Sequence, residues 1–221
     1  MEKVKVIRAS DARGEMKLTI EEGRAAVAAA RGTLEEHVSG QRLKPVVWPS
    51  KTFSELRGVF VTINLAGSGP DRLRGCIGFP YPVKPLGDAI REAAVAAASE
   101  DPRFPPVTER ELTSVVVEVS ILTKPEVLAA SKPRDRPTKV RIGVDGLIVS
   151  RFGFSGLLLP QVAIEYKMDQ MEFLSQACLK AGLAPDSWLD KETEIQTFQA
   201  EIFEESEPRG RVVTAAHQGQ R

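Results

Sequence analysis

Apolar residues that recur at every second position mark the strands of this chain. Between residues 58 and 65, Val59, Val61 and Ile63 share one face of an extended segment, and the same period of two recurs over residues 114–122. The pattern predicts strands over residues 58–65, 73–78, 114–122, 140–144, 147–152 and 195–203. Turn residues separate the first two strands, and Asp145-Gly146 separates the fourth and fifth, so both pairs are predicted as β-hairpins.

Helical periodicity predicts helices between these strands. Thr19 and Glu22 have the spacing of a capping box, and an alanine-rich helix follows them to about Gly40. A second helix begins at Pro85 and must end before Pro102, a third begins at Pro160, and a fourth covers residues 169–181. Hairpin-like strand pairs with helices at the start, middle and near the end indicate an α+β fold, with a mainly antiparallel sheet and flanking helices.

The two ends of the chain lack a pattern that would build a core. Residues 1–15 are predicted to be a flexible N-terminal segment. Residues 206–221 are rich in charged and small residues, and they are predicted to be a disordered tail. A domain over residues 16–205 remains between them.

Composition narrows the classes of function. The chain has 221 residues, and 30 Lys and Arg balance 30 Asp and Glu, so the formal net charge is zero. This balance argues against nucleic acid as a partner, because such proteins usually carry a basic surplus. No apolar stretch has the length or placement of a signal peptide or of a membrane span, so a cytoplasmic location is expected. Neither a metal site nor a cofactor is predicted, since the two cysteines lack ligand spacing.

The segment LRGCIG, residues 73–78, is the strongest candidate site. On a strand, Arg74 and Cys76 share a face and lie about 7 Å apart. A nearby cation would lower the pKa of the thiol and favour the nucleophilic thiolate. The alternative is that Cys76 is structural, since free cysteine is often buried. Cys178 lies in the apolar stripe of a helix and is interpreted as part of the core.

Four other polar residues are candidates, each with an alternative. Arg103 lies in the proline-rich loop DPRFPP, where it either binds an anion or pairs with Asp101. Glu118 lies in an apolar strand, so it either forms a salt bridge with Arg74 or Arg103 or acts in acid–base chemistry. Gln161 and Glu165 are four residues apart on one helical face, which either lines a pocket or is simply exposed.

Several of these segments together resemble the AMMECR domain family, in a prokaryotic-type member. LRGCIG is similar to the hallmark of that family, and the other similar blocks occur in the family's order. The blocks are residues 58–62, 73–78, 94–98, 101–107, 118–120, 156–163 and 180–183. The resemblance therefore covers nearly the whole of residues 16–205.

The resemblance implies an intracellular α+β fold with a larger and a smaller subdomain in one compact unit. It implies no reaction. Many prokaryotic relatives are encoded near, or fused to, Memo-like and radical-SAM-like proteins, which suggests a shared pathway by analogy. This sequence has no such segment and no three-cysteine cluster, so chemistry of that kind would come from a partner.

Three functions follow from these observations. The first is an enzyme or substrate-binding subunit with a small-molecule or protein-modifying role, in which Cys76 is the nucleophile and Glu118 or Glu165 is the base. Arg74, Arg103 and Gln161 would then bind the substrate. The second is a non-enzymatic adaptor that binds another protein, as a monomer or a homodimer. The third, RNA or DNA binding, is the least supported, because 13 aromatic residues offer few stacking surfaces.

Overall fold

The computed structural model describes residues 18–67 and 72–214 of the chain. Helices in this part are α1 Ile20–Val38, α2 Leu86–Ser99, α3 Pro160–Glu165 and α4 Gln170–Lys180. Strands are β1 Val59–Leu65, β2 Leu73–Phe79, β3 Val115–Leu122, β4 Glu126–Val127, β5 Gly146–Arg151, β6 Phe154–Leu158, β7 Glu194–Phe198, β8 Ala200–Glu205 and β9 Val212–Thr214. The predicted N-terminal segment, and most of the predicted turn before β2, lie outside the described residues.

The described residues divide into two compact units. The first contains residues up to 121 together with 201–214, and the second contains residues 122–200. In the first unit the strand order is β2-β1-β3-β8-β9, and β1 pairs antiparallel with both β2 and β3. In the second unit the order is β4-β7-β5-β6, also with antiparallel pairs. The predicted α+β fold is confirmed.

Helices α1 and α2 cover one face of the sheet in the first unit. The capping box at Thr19 and Glu22 begins α1 as predicted, with both of its reciprocal hydrogen bonds present. The inward residues of β1 and β3 are those that the alternation predicted, and they join both helices in one apolar core. That core includes Val59, Val61, Ile63, Val115, Val117, Val119 and Ile121. The even-numbered residues of β1 and β3 consequently lie on the opposite face of the sheet.

The predicted hairpin around Asp145-Gly146 is wrong. Residues 140–144 form no strand, because Asp145 is buried and accepts hydrogen bonds from the backbone and side chain of Arg141, which fold this segment into a turn. The hairpin in this region joins β5 to β6 instead. Its two turn residues, Phe152 and Gly153, have φ values of 51° and 84°, the left-handed conformation that a tight hairpin turn requires.

The final part of the chain also differs from the prediction. The single strand expected over residues 195–203 is interrupted at Gln199, and β7 and β8 belong to different sheets. The tail predicted from residue 206 contains β9, which pairs with β8 through Phe203, Glu204 and Glu205. Pairing with an existing strand compensates for the low apolar content of this segment. Residues 215–221 lie outside the described part of the chain.

No helix in the described residues is both long enough and apolar enough to cross a membrane.

A buried ion pair joins α1 to the sheet of the first unit. Arg31 and Glu205 are 6% and 5% exposed, and the guanidinium binds both carboxylate oxygens. Arg31 also donates to the carbonyl oxygens of Leu112 and Val115, and Val117 N donates to Glu205. Each guanidinium nitrogen of Arg31 and each carboxylate oxygen of Glu205 therefore has a hydrogen-bond partner, which is the condition under which a buried ion pair is tolerated.

Loss of one partner from this pair is expected to destabilise the protein strongly. Arg31→Met should lower the free energy of unfolding by about 3 kcal/mol, because Glu205 is left buried without its cation. Urea unfolding monitored by circular dichroism measures this change. Glu35→Gln is the matched control: Glu35 pairs with the same Arg31 at 3.9 Å but is more exposed, so its loss should cost less than about 1 kcal/mol. Equal effects of the two substitutions would contradict the importance of the buried pair.

Candidate functional site

A thiol, a hydroxyl and a carboxyl lie in one row across the sheet of the first unit. Thr62 of β1 pairs with Cys76 of β2 on one side and with Glu118 of β3 on the other. All three side chains are on the face opposite α1 and α2. Alternation predicted Glu118 opposite the valines of β3, but it did not indicate which face of β2 lies against the core. The Thr62 hydroxyl is 3.2 Å from the sulfur of Cys76.

The backbone of Cys76 is held by the loop that follows α2. Strand β2 is at the edge of its sheet, so the N–H and carbonyl of Cys76 that point away from β1 have no strand neighbour. Asp101 accepts a hydrogen bond from Cys76 N at 2.8 Å, and Arg103 Nη2 donates to Cys76 O at 3.3 Å. Two side chains from this loop thus take the place of a neighbouring strand.

Asp101 and Arg103 form a close ion pair beside this cysteine. Arg103 donates to Asp101 from Nε at 2.9 Å and from Nη2 at 2.6 Å. These bonds, partly opposed by burial and assisted by the backbone N–H groups of Cys76 and Arg103, lower the pKa of Asp101 to about 2. The Arg103 side chain is nevertheless 49% exposed, whereas that of Asp101 is 3% exposed. The predicted pairing with Asp101 is thus present, and part of the guanidinium still faces solvent.

The pKa of the Cys76 thiol is raised overall, so the prediction that a nearby arginine would lower it is wrong for the net shift. Burial raises the pKa of Cys76 above its ordinary value, and the hydrogen bond from Thr62 opposes that rise. The charge of Glu118 raises this pKa further, while the charge of Arg103 lowers it. Arginine therefore acts in the predicted direction but is outweighed by burial and by the charge of Glu118.

Glu118 supplies the carboxyl group of this row, and its pKa suits proton transfer. Burial, reinforced by the nearby charge of Glu204, raises its pKa to about 7, while Ser120 and Arg72 act in the opposite direction. The carboxylate accepts a hydrogen bond from the Ser120 hydroxyl at 3.2 Å. The predicted salt bridge from Glu118 to Arg74 or Arg103 is not formed, because each arginine binds a different carboxylate. A group with a pKa near 7 can both accept and donate a proton at neutral pH.

Arg74 binds the loop that follows α2. The partner of Ile63 is Gly75 and that of Asn64 is Leu73, so Arg74 lies in an irregularity that interrupts the period of two. Its guanidinium binds Glu111 at 2.6 Å and the carbonyl oxygens of Pro105 and Pro106.

The side chain of Arg74 is only 10% exposed, and the bond to this arginine is the main cause that lowers the pKa of Glu111 to about 2. These bonds commit the Arg74 guanidinium to the loop, and its participation in substrate binding stays a prediction.

Comparison with known proteins identifies the family. The AMMECR1 family model matches residues 27–203. The chain belongs to the AMMECR1 family. Protein MJ0810 of Methanocaldococcus jannaschii is 50% identical to it over 197 residues, which are 89% of this chain and 96% of the relative. A protein of Methanothermobacter thermautotrophicus is 52% identical over 190 residues, covering 85% of this chain and 96% of the relative.

A solved structure agrees with this assignment. The crystal structure of the uncharacterized protein PH0010 from Pyrococcus horikoshii matches with a TM-score of 0.84 and 47% sequence identity. The match covers 88% of this chain and 96% of that chain. The AMMECR domain resemblance inferred from the sequence is therefore confirmed, together with the α+β fold.

The remaining predicted site residues of this AMMECR1-family chain lie in the second unit. Pro160 begins α3 as predicted, and Gln161 and Glu165 both belong to that helix. Glu165 is exposed, and Oε1 of Gln161 is buried without a hydrogen-bond partner among the described residues. Their participation in a site with Cys76 stays a prediction. Within residues 18–67 and 72–214, no group of three or more His, Cys, Asp or Glu side chains has the geometry of a metal site.

Sequence reasoning underestimated three residues of the site. Thr62 was not placed, because its contact with Cys76 depends on the hairpin register. Asp101 was considered only as a partner of Arg103, although it also binds the Cys76 backbone. Glu111 was missed altogether. Its capping-box spacing after Thr108 was a usable signal for its location but gave no indication of its bond to Arg74.

Stability is expected to depend on the protonation of Glu118. A folded-state pKa of about 7, above the ordinary value of 4.5, means that this group stabilises the protein below pH 4.5 and that this contribution is lost as the pH rises through 7. Glu118→Gln should therefore be more stable than the wild type at pH 8 by about 3 kcal/mol and nearly equal to it at pH 4.5. Urea unfolding at the two pH values measures the difference.

The exposed Glu109→Gln is the control for this pH dependence, and we expect little change from it at either pH. A Glu118→Gln variant that gains no stability between pH 4.5 and pH 8 would show that Glu118 is already ionised at neutral pH.

Proposed function

We propose that this AMMECR1-family protein is an enzyme that modifies a small molecule or a protein by way of the Cys76 thiol. The observation that carries the proposal is the row of Cys76, Thr62 and Glu118 on one face of the sheet, in which a carboxyl with a pKa of about 7 accompanies the thiol. Nucleophilic catalysis by cysteine requires a base, and the one histidine among the described residues, His37, belongs to α1, on the other side of the sheet, and is bonded to Ser99.

Cys76 is the nucleophile in this proposal. Its sulfur forms a bond with an electrophilic carbon of the substrate, and the thiol proton must leave as that bond forms. Strands in a sheet are about 4.8 Å apart, so the backbones of Cys76 and Glu118 are about 10 Å apart with β1 between them. Glu118 therefore accepts the proton through a group of the substrate or through water, and returns it to the leaving group as the bond between that group and the carbon breaks. Water or an acceptor nucleophile then displaces the Cys76 sulfur from the carbon, and its proton returns to the thiol.

Arg103 supplies the charge that selects the substrate. Its guanidinium is held by Asp101 yet remains half exposed, so it can bind a carboxylate or phosphate without reorganising. The substrate class is accordingly a compound or protein segment that carries an anionic group near its electrophilic carbon. Asp101 and Arg74 are positioning residues, since neither side chain is exposed.

The surroundings of this reaction are part of the proposal. We propose a cytoplasmic location, in keeping with two free cysteines. Memo-like and radical-SAM-like proteins are the proposed partners, by the family resemblance only, and RNA and DNA are not. Gln161 and Glu165 remain proposed substrate-binding and catalytic residues of the second unit.

The second candidate function is a non-enzymatic adaptor. One observation favours it: burial raises the pKa of the Cys76 thiol, which keeps the sulfur in its less reactive form. In this alternative the row on the sheet would shape a surface for another protein. The reactivity of Cys76 therefore discriminates the two functions.

Alkylation of the folded protein tests the enzyme proposal. Iodoacetamide at pH 8 should label Cys76 at least tenfold faster than Cys178, because Cys178 is completely buried whereas Cys76 is partly exposed. Mass spectrometry of the two cysteine peptides over time measures both rates. Labelling in denaturant is the control that both thiols are chemically competent. Equal inertness of the two thiols in the folded protein would overturn the enzyme proposal and favour the adaptor.

The charge of the reagent tests the function of Arg103. Iodoacetate is an anion, whereas iodoacetamide is neutral, so the ratio of their rates at Cys76 reports the local attraction for anions. Arg103→Met should lower this ratio about threefold to tenfold, and Arg103→Lys should largely retain it. Arg110→Met, which removes the same charge from an exposed position in the same loop region, is the matched control. A ratio that Arg103→Met leaves unchanged would show that Arg103 does not attract anions to the site.

A further inference from the structure

Thr62 is the member of the row to which the proposed function assigns no role. It is 8% exposed, and its hydroxyl oxygen is 3.2 Å from Cys76 Sγ. The cross-strand register fixes this contact, because Thr62 and Cys76 are directly opposite each other on neighbouring strands. A threonine hydroxyl has one hydrogen to donate, and a thiolate can only accept. The contact is therefore strengthened when the thiol loses its proton.

We infer that Thr62 positions the Cys76 sulfur for attack and stabilises its thiolate by donating the hydroxyl hydrogen to it. This inference rests on the proposed function, since it concerns the same nucleophile. In the row on the sheet, Thr62 of β1 then donates the hydrogen bond to the sulfur, and Glu118 of β3 exchanges the proton.

The other groups around the sulfur explain why a donor is needed at this position. Burial opposes formation of the thiolate, and the negative charges of Glu118 from β3 and Asp101 from the loop after α2 oppose it too. Arg103, from the same loop, favours the thiolate by its charge, but its hydrogen bonds go to Asp101 and to the Cys76 carbonyl rather than to the sulfur. Among the described residues, Thr62 is the side chain whose hydrogen bond is directed at the sulfur itself.

The pH dependence of alkylation tests this inference. The rate of iodoacetamide labelling at Cys76 is measured from pH 6 to pH 11.5 in the wild type, Thr62→Val and Thr62→Ser. Valine keeps the branched shape that suits a strand but removes the hydroxyl, and serine keeps the hydroxyl. Because Glu118 and Asp101 are unchanged in all three proteins, their effects on the profile cancel in the comparison.

Thr62→Val is expected to move the midpoint of the profile up by about one pH unit, because a hydrogen bond to a charged group is lost. Below the midpoint, a rise of one pH unit lowers the fraction of thiolate about tenfold. Labelling should slow by only about threefold to fivefold, because the more basic thiolate is intrinsically more nucleophilic and partly compensates. Thr62→Ser should retain the wild-type profile. Thermal unfolding of each variant, followed by circular dichroism, verifies that the proteins are folded over this range of pH.

The outcomes separate this inference from the proposed function. If wild-type Cys76 reacts readily and Thr62→Val has the same pH profile of labelling, the inference about Thr62 is wrong, and Cys76 remains the proposed nucleophile. If wild-type Cys76 fails to react at any pH, the proposed function itself fails. Should Thr62→Val not fold, Thr62→Ala provides the hydroxyl deletion, and Thr62→Ser alone would contradict the inference if its midpoint rose by a full pH unit.

Discussion

The site depends on a close contact between one glycine and the backbone of a helix. A Cβ atom on Gly75 would lie 2.2 Å from the carbonyl oxygen of Ala97, so only glycine allows α2 to approach β2 this closely. With Gly75 against the helix, Cys76 is directed to the opposite face of the sheet. The same contact brings the end of α2 to β2, where Val107 N bonds to Ala98 O and the intervening loop covers the strand edge.

The loop after α2 covers the exposed edge of strand β2. Unpaired backbone groups on an edge invite pairing with another strand, and here Asp101 and Arg103 occupy the exposed groups of Cys76. Arg74 then fixes the loop from the other end through two proline carbonyl oxygens. The two arginines of the candidate site consequently differ: Arg74 is buried in contacts with the loop, whereas about half of the Arg103 side chain is exposed to solvent.

The sequence could predict the parts of this arrangement that follow from periodicity. Alternation alone assigned β1, β2 and β3, and it placed Glu118 opposite the valines of β3, but it did not indicate which face of β2 lies against the core. It could not predict which carboxylate each arginine binds, because Asp101 and Glu111 reach the arginines only through the path of the loop. Nor could it predict the net pKa of the thiol, in which burial outweighs a nearby cation. The irregularity at Arg74 and the addition of β9 likewise depend on pairing between distant segments.

The charges around the row favour transfer of a proton from Cys76 to Glu118 more than the separate pKa directions suggest. Loss of a proton to solvent would add a negative charge to a site that already holds two carboxylates, whereas transfer within the row leaves its net charge unchanged. The negative charge then moves away from Glu204 and toward Arg103, which favours the transfer, while it also moves away from Arg72 and toward Asp101, which opposes it. A buried thiol of high pKa is therefore compatible with a nucleophile, provided that the proton remains on the same face of the sheet.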